Sequence, residues 1–312
     1  TLRETLWHRR DLAGKFGSIR RDVHSKVITS DGVRFPDWGI PFADIYPTGP
    51  AVFLHVFLPV GDHVRWLERE RPDYLMTFPS NFLAIARHAR ENGIRLPRVR
   101  GLRSVGEVVT PELRQICRES WGVEIDDAYS TQELGNIAFQ CPEQRNYHVQ
   151  SEAILVEIVD DAGQPCPPGK IGRVVLTPLQ NFAMPMIRYA IGDYAEFGDP
   201  CPCGRGLPVL SRILGRTRNM VTMPSGEKRF SMLPGRTFAR IPAIVQHQVV
   251  QTSLEEIEVR LVARNPLEPS EEKSIREEIV EQLGHPFRIR FAYREEIPRS
   301  PEGKFEDFRS EL

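Results

Sequence analysis

A chain of 312 residues, 40% hydrophobic and 27% charged, with 41 basic against 42 acidic residues and a net charge of −1, has the composition of an ordinary globular protein. The two signs of charge are interspersed, which argues against a nucleic-acid surface, and no apolar run approaches the roughly 20 residues of a membrane span. The length favours two domains over one, because single cores stop growing at roughly 250–300 residues.

The first residue is Thr1, and no charged stretch followed by an apolar one opens the chain, so no signal peptide is expected. Five cysteines, an odd number, do not make a disulfide framework. A cytoplasmic location is the default expectation.

Residues 1–60 are rich in aromatics and proline, and the run Ala51 to Leu58 reads as a buried strand. His8, His24 and His55 show no ligand spacing and read as structural or surface histidines. Val64 and Leu67 share a face in a helical stretch from Asp62, which Pro72 interrupts; Tyr74 to Phe78 then reads as a short strand. Ser80 is placed as the cap of a helix in which Leu83, Ala86 and Ala89 recur, with Gly93 ending it. Val99 to Val105 is the next strand. Thr110, Pro111 and Glu112 announce a helix that runs to Trp121 and Gly122, and Val123 to Tyr129 is the strand after it.

Strands and helices alternating in this way predict an α/β fold with a mainly parallel sheet. Ligands in such sheets sit where the carboxyl ends of the strands meet the loops, here Thr77 to Ser80, Ser104 to Glu107 and Tyr129 to Gly135. After His148 the pattern turns to β: Ile154 to Asp160 and Arg173 to Pro178 flank a loop full of turn residues. Beyond Gly215 the strands Glu256 to Val262 and Phe287 to Tyr293 enclose a helix, placed with Ser270 as its cap, on which Ile275, Ile279 and Leu283 recur before Gly284. The expected organisation is an incomplete large α/β domain over 1–214, with a β subdomain over 151–214, followed by a small α+β domain over 215–312.

Three segments can carry chemistry. Tyr129-Ser130-Thr131-Gln132-Glu133 offers an aromatic face, hydroxyls and a carboxylate, suited to stacking a base and holding a metal ion on phosphates, or simply to a capped loop. Asp193 follows Gly192, which permits a turn that projects the carboxylate, either as a ribose acceptor or as an ordinary turn residue. Lys304 lies on the loop Pro298 to Lys304, restrained by Pro and Gly, where a tail lysine is ordinarily solvated.

In this order and at these separations the segments resemble the adenylate-forming superfamily of acyl-CoA synthetases, peptide-synthetase adenylation domains and luciferases, and within it the phenylacetate-CoA ligase family. Tyr129 to Glu133 is similar to the family's Tyr-Gly-x-Thr-Glu motif, with Ser130 and Gln132 departing from the usual Gly and Thr. The resemblance implies that Tyr129, Ser130 and Gln132 line the nucleotide site and that Glu133 holds Mg²⁺. Ser104, Gly106 and Glu107 resemble the adenine-side loop. Arg188 to Asp193 resembles Tyr-Arg-Thr-Gly-Asp, which gives Asp193 the ribose hydroxyls. Gly215 to Asn219 resembles the hinge, which places Arg216 near the ribose and Arg218 and Asn219 at the pivot of a lid. Pro298 to Lys304 resembles the motif whose lysine meets the carboxylate and the α-phosphate.

The implied activity is ATP-dependent activation of a small-molecule carboxylic acid to an acyl-adenylate and its transfer to coenzyme A. Two anions must approach, which explains a Mg²⁺ carboxylate at Glu133 and an ammonium at Lys304. The superfamily's Ser/Thr/Gly-rich phosphate loop ending in Lys has no counterpart, since Pro224 to Lys228 reads as a surface turn; the family places that loop upstream of Thr1. An N-terminally truncated chain, inactive by itself, is the expectation. A degenerate homologue acting as an inert nucleotide-binding or scaffold module, and adenylation with transfer to a carrier protein or an amine, are the alternatives. No nucleic-acid or membrane partner is expected, and the oligomeric state stays open, a dimer included.

Cys141 and His148 follow the Glu133 loop, and Cys201 and Cys203 form a Cys-Pro-Cys-Gly knuckle after Asp193. Because the resemblance brings these two segments to one site, a structural Zn²⁺ on Cys₃His is expected, against the competing reading of reduced, buried thiols. Cys117 and Cys166 read as bystanders.

Overall fold

The computed structural model describes residues 2–21, 29–216, 219–230, 238, 240–301 and 303–312. Contacts divide the chain into a larger unit, Thr1–Ile213 with Glu302–Lys304, and a smaller one, Leu214–Pro301 with Phe305–Leu312. Among the described residues no helix is long and apolar enough to cross a membrane.

The larger unit contains a six-stranded sheet built from β1 (Phe16–Arg20), β2 (Val33–Phe35), β3 (Ala51–His55), β4 (Tyr74–Thr77), β5 (Gly101–Ser104) and β6 (Ile125–Asp126), in the order β2-β3-β1-β4-β5-β6. Only β2 runs antiparallel to its neighbour. The helices that accompany it are α1 (Leu2–Trp7), α2 (Val60–Glu70), α3 (Pro79–Glu91) and α4 (Pro111–Trp121). Ile19, Leu54, Leu75, Leu102 and Ile125 of the strands form one core with Trp66, Leu67, Phe82, Ile85 and Trp121 of the helices. Each such side chain, fully buried, contributes roughly 1.5–3 kcal/mol of transfer free energy. Strands β3 and β4 are short apolar runs of the kind expected for a covered sheet, whereas β1, which pairs with both at the middle of the sheet, carries Gly17 and Ser18 and gave no strand signal in the sequence.

Helix α4 begins where its sequence requires. The Thr110 hydroxyl accepts the Leu113 amide at 3.2 Å, Pro111 occupies the first turn, and Gly122 closes the helix at φ 75°. Thr110→Ala removes that acceptor and is expected to cost about 1 kcal/mol, a fall of about 2–4 °C in the thermal midpoint measured by circular dichroism. Helix α3 departs from expectation. Phe78 is its N-cap and Pro79 its first residue, so Ser80 lies inside the first turn rather than capping it.

One buried ionic group ties α1 to this sheet. The Glu4 carboxylate meets Arg10 at 2.7 Å and Arg103 at 2.9 Å, and Arg10 also reaches Asp126 at 2.8 Å. Burial alone would raise the Glu4 carboxyl, but the Arg103 and Arg10 charges outweigh it and hold it below its ordinary value.

The strand expected over Val123 to Tyr129 divides in two. After β6 the chain leaves the parallel sheet, and at β7 (Ala128–Thr131) it enters a second sheet of seven strands. The others are β8 (Gly135–Gln140), β9 (Tyr147–Val149), β10 (Ile154–Val159), β11 (Ile171–Pro178), β12 (Tyr189–Phe197) and β13 (Val209–Arg216), in the order β10-β11-β12-β13-β9-β8-β7. Its core gathers Ile137, Val149, Ile158, Val174, Leu176, Ala195 and Leu210. The segment around Asp193, expected as a turn, is part of β12. A bulge sets Ile191, Gly192 and Asp193 against the single Val174, with Gly192 at φ 80°.

The smaller unit carries the hairpin β14 (Met220–Thr222) and β15 (Lys228–Phe230), so Pro224 to Lys228 is a hairpin turn with Gly226 at φ 83°. A four-stranded sheet follows, β18-β17-β16-β19, from β16 (Ile244–Gln251), β17 (Glu256–Ala263), β18 (Arg288–Tyr293) and β19 (Phe308–Ser310). Helix α5 (Pro269–Leu283) connects the parallel pair β17 and β18, and its Ile275, Ile279 and Leu283 pack with Val259, Leu261 and Ile289. Its cap is a reciprocal pair of Glu268 and Glu271, with Pro269 in the first turn, and not Ser270.

Candidate nucleotide site and thiol cluster

Tyr129 and Asp193 come together. The Tyr129 hydroxyl donates to Asp193 Oδ2 at 2.7 Å across 64 residues of sequence, and both residues are buried. Asp193 lies in the bulge of β12, where the pairing with β11 shifts register. Glu133 sits apart, exposed in the turn between β7 and β8, where the Thr131 hydroxyl accepts the Leu134 amide at 3.1 Å. Ser130 is half-buried on β7 and Gln132 is exposed beside Glu133.

At the carboxyl end of β5, Ser104 is fully buried and its hydroxyl donates to Asp127. Glu107 turns to the first turn of α3, where its carboxylate accepts the Ser80 amide at 2.8 Å and the Ser80 hydroxyl at 3.0 Å. A carboxylate at a helix N-terminus is favoured there by unpaired amides and the helix dipole. Gly106, at φ 76°, stands between them.

Residues 302–304 group with the larger unit, and inside that unit Lys304 lies against this loop. A Cβ built on Gly106 would meet Lys304 Cε at 3.0 Å and Phe78 at 3.4 Å. The positive φ favours glycine at this turn, and its bare Cα lets the half-buried lysine approach closely. Arg216 is exposed at the end of β13, and Asn219 begins the next segment with its side-chain oxygen buried. Arg218 lies outside the described residues, as does His24.

Cys141, His148, Cys201 and Cys203 present four ligand atoms within 4.8 Å of one another. The Cys141 and Cys201 sulfurs are 3.8 Å apart, and Cys203 Sγ lies 3.3 Å from His148 Nε2. Two thiolates on one tetrahedral Zn²⁺, each at about 2.3 Å, stand about 3.8 Å from each other. The surroundings treat the sulfurs differently. Burial works to raise Cys203, yet the Arg205 amide, Cys201 and the Arg205 side chain bring it below its ordinary value. Burial pushes Cys141 up to about 11, against the pull of the Glu143 and Gln144 amides. Burial, then the Arg205 charge, holds His148 low, which favours the neutral imidazole a metal requires.

Two residues beside this cluster gave no sequence signal. Arg205 reaches Cys141 Sγ at 3.7 Å and Glu143 at 3.0 Å while lying over the Trp7 ring at 5.1 Å. Trp7 also meets His148 edge-on at 5.6 Å. No spacing rule links residue 7 to residues 148 and 205; only the fold of α1 over β8 and β9 brings them together.

The family description of the CapK C-terminal domain matches residues 234–310. The phenylacetate-coenzyme A ligase of Thermus thermophilus is 30% identical over 207 residues, 63% of this chain and 46% of that relative. The chain thus spans about half the length of the curated relative it matches. The crystal structure of 2-hydroxyisobutyryl-CoA ligase in the postadenylation state superposes with a TM-score of 0.76 at 20% identity, covering 99% of this chain and 68% of that one. Anthranilate CoA ligase in complex with anthranoyl-AMP superposes with a TM-score of 0.67 at 16% identity, covering 97% and 61%.

Proposed function

We propose, for a chain with the fold of the adenylate-forming CoA ligases and phenylacetate-coenzyme A ligases among its sequence relatives, that it belongs to an ATP-dependent acid–thiol ligase. The enzyme activates a carboxylic acid as its acyl-adenylate and passes the acyl group to coenzyme A. The observation that carries this reading is the 2.7 Å hydrogen bond that joins Tyr129 to Asp193. Two motifs separated in sequence meet as an aromatic hydroxyl and a carboxylate, the chemistry that receives a nucleoside.

In this reading Asp193 accepts the ribose hydroxyls and Tyr129 borders the adenine, with Ser130, Gln132 and Arg216 at the edge of the nucleotide. The Ser104–Glu107 loop bounds the adenine side, Gly106 leaving space and Glu107 anchoring the loop to α3. Glu133, exposed on a turn that Thr131 holds, fits Mg²⁺, which keeps most of its waters and takes one or two carboxylates along with phosphate oxygens. The ion supplies positive charge to the phosphates when bound. Lys304 neutralises charge where the acid carboxylate approaches the α-phosphate.

Residues 1–214 act as part of the adenylation domain and 215–312 as a lid that turns at Arg218 and Asn219. Cys141, His148, Cys201 and Cys203 hold a structural Zn²⁺, and the protein works in the cytoplasm on small molecules.

Exchange of labelled pyrophosphate into ATP, measured over a panel of aromatic and aliphatic acids with the chain in a polypeptide of its relatives' length, is the test. Exchange that depends on one acid class is expected. A folded protein that exchanges with none would overturn the reading.

A further inference from the structure

Asp127 is the one residue between β6 and β7, the point where the chain passes from the parallel sheet to the second sheet. Its side chain is 8% exposed and accepts from three donors. Oδ1 takes the Ser104 hydroxyl and the Ala128 amide, the latter at 2.9 Å, and Oδ2 takes the Tyr147 hydroxyl at 2.6 Å. Its backbone is held as firmly: the Asp127 amide donates to Gln140 Oε1 at 3.1 Å, and its carbonyl accepts the Gln140 amide at 3.1 Å. Arg114 of α4 completes the group, donating to Gln140 Oε1 at 3.3 Å and to the Ile125 carbonyl at 2.7 Å.

Each donor belongs to a different part of the nucleotide site or its support. Ser104 ends β5 and opens the loop with Gly106 and Glu107. Ala128 begins the strand that carries Tyr129 two residues after Asp127. Tyr147 lies opposite Gln140 in the β8–β9 pair, and the next residues on these strands, Cys141 and His148, belong to the thiol cluster. A buried carboxylate is a costly way to fill space, and well-packed apolar residues of similar volume would hold a core at least as well. A carboxylate that takes two hydroxyls and an amide instead fixes three segments in one register.

We propose that Asp127 is a positioning residue for nucleotide binding, the carboxylate that sets the Ser104–Glu107 loop against the strand bearing Tyr129 without itself touching the nucleotide. The proposal rests on the reading of Tyr129 and Asp193 as a nucleoside site. Two hydroxyls and an amide converge on the carboxylate, so its loss leaves the Ser104 and Tyr147 hydroxyls buried with no acceptor and lets the loop drift from Tyr129.

The test is AMP binding by titration calorimetry, beside the KM for ATP and for the acid measured with the chain in a polypeptide of its relatives' length. Asp127→Ala is expected to weaken AMP about tenfold and raise the KM for ATP alike, while the KM for the acid moves less than twofold, a loss comparable to one buried hydrogen bond. Tyr147→Phe, which removes a single donor and leaves every other contact in place, is expected to weaken AMP about threefold. Asp127→Asn keeps one acceptor oxygen and is expected to fall between the wild type and Asp127→Ala. If Asp127→Ala does not fold, Tyr147→Phe and Asp127→Asn carry the measurement. Variants that lower the thermal midpoint yet bind AMP within twofold of wild type overturn the proposal, since Asp127 would then serve stability alone. A wild-type protein that binds no AMP overturns the nucleoside reading first and the proposal with it.

Discussion

Lys304→Ala is expected to slow acid-dependent pyrophosphate exchange by about two to three orders of magnitude, the loss typical of one preorganised donor in a water-poor site. The reason lies in where charge accumulates. A carboxylate attacking the α-phosphate puts two anions in contact, and an ammonium on the line between them stabilises the transition state more than either separated reactant. Lys304 is half-buried against Gly106, so its ammonium is delivered on a short tether and not a free tail. The fold should not notice the change, because a half-exposed lysine outside the core contributes about 0.5 kcal/mol or less. An unaltered melting curve beside a collapsed exchange rate is the expected pair of results. Lys304→Arg should not restore exchange. A planar guanidinium spreads its charge over a fork of donors and does not reproduce the compact point charge of the ammonium. Exchange within threefold of wild type in Lys304→Ala would remove this residue from the chemistry.

The parallel half of the fold was legible because its signals are local. Thr110, Pro111 and Gly122 mark the ends of α4 by their own backbone chemistry, and the apolar run at Tyr74 needs no partner to be recognised as a buried strand. Two helix starts were misread for one cause. At Pro79 and Pro269 a hydroxyl one residue later looked like a cap, yet proline belongs to the first turn, and the residue before it becomes the cap even when it is Phe78 or Glu268. The strand break at Asp127 is not marked by any turn residue, since the adjacent aspartates Asp126 and Asp127 sit between apolar residues with no Gly or Pro; only its three donors, drawn from β5, β7 and β9, show it to be a joint. In the candidate site, motif order named Tyr129 and Asp193 but not the bond between them. Asp193 makes that bond from within the bulge opposite Val174, and sequence spacing encodes neither the bulge nor a partner 64 residues away. Glu107 was legible as a loop residue and illegible as the partner of Ser80, because a carboxylate reaching a helix start 27 residues away is a property of packing.

Removing the thiol cluster should have the largest effect on stability. Elemental analysis is expected to find about one zinc per chain, and Cys201→Ser to lower both the zinc content and the thermal midpoint, the latter by about 10 °C or more for a loss of several kcal/mol. The cluster is where the second sheet closes on itself. Cys141 directly follows β8 and His148 lies within β9, while Cys201 and Cys203 come from the loop between β12 and β13. That loop is rich in Pro and Gly and has little apolar surface of its own to bury, so without a metal few contacts beyond the Arg205 group fix it. Three thiolates on a divalent ion leave one negative charge, and Arg205 is placed to balance it, 3.7 Å from Cys141 Sγ and spread over Trp7. Trp7 therefore gives a second readout. Stripping the metal should alter the emission of the indole that lies against both His148 and Arg205, and re-adding zinc should restore it. A zinc-free protein with an unchanged melting curve, or a disulfide between Cys141 and Cys201 in its place, would show that the four side chains are drawn together by packing alone. The consequence for the nucleotide site would then be direct, because β8 and β9 carry Gln140 and Tyr147 to Asp127, and their register would have to be held by that carboxylate without the metal's help.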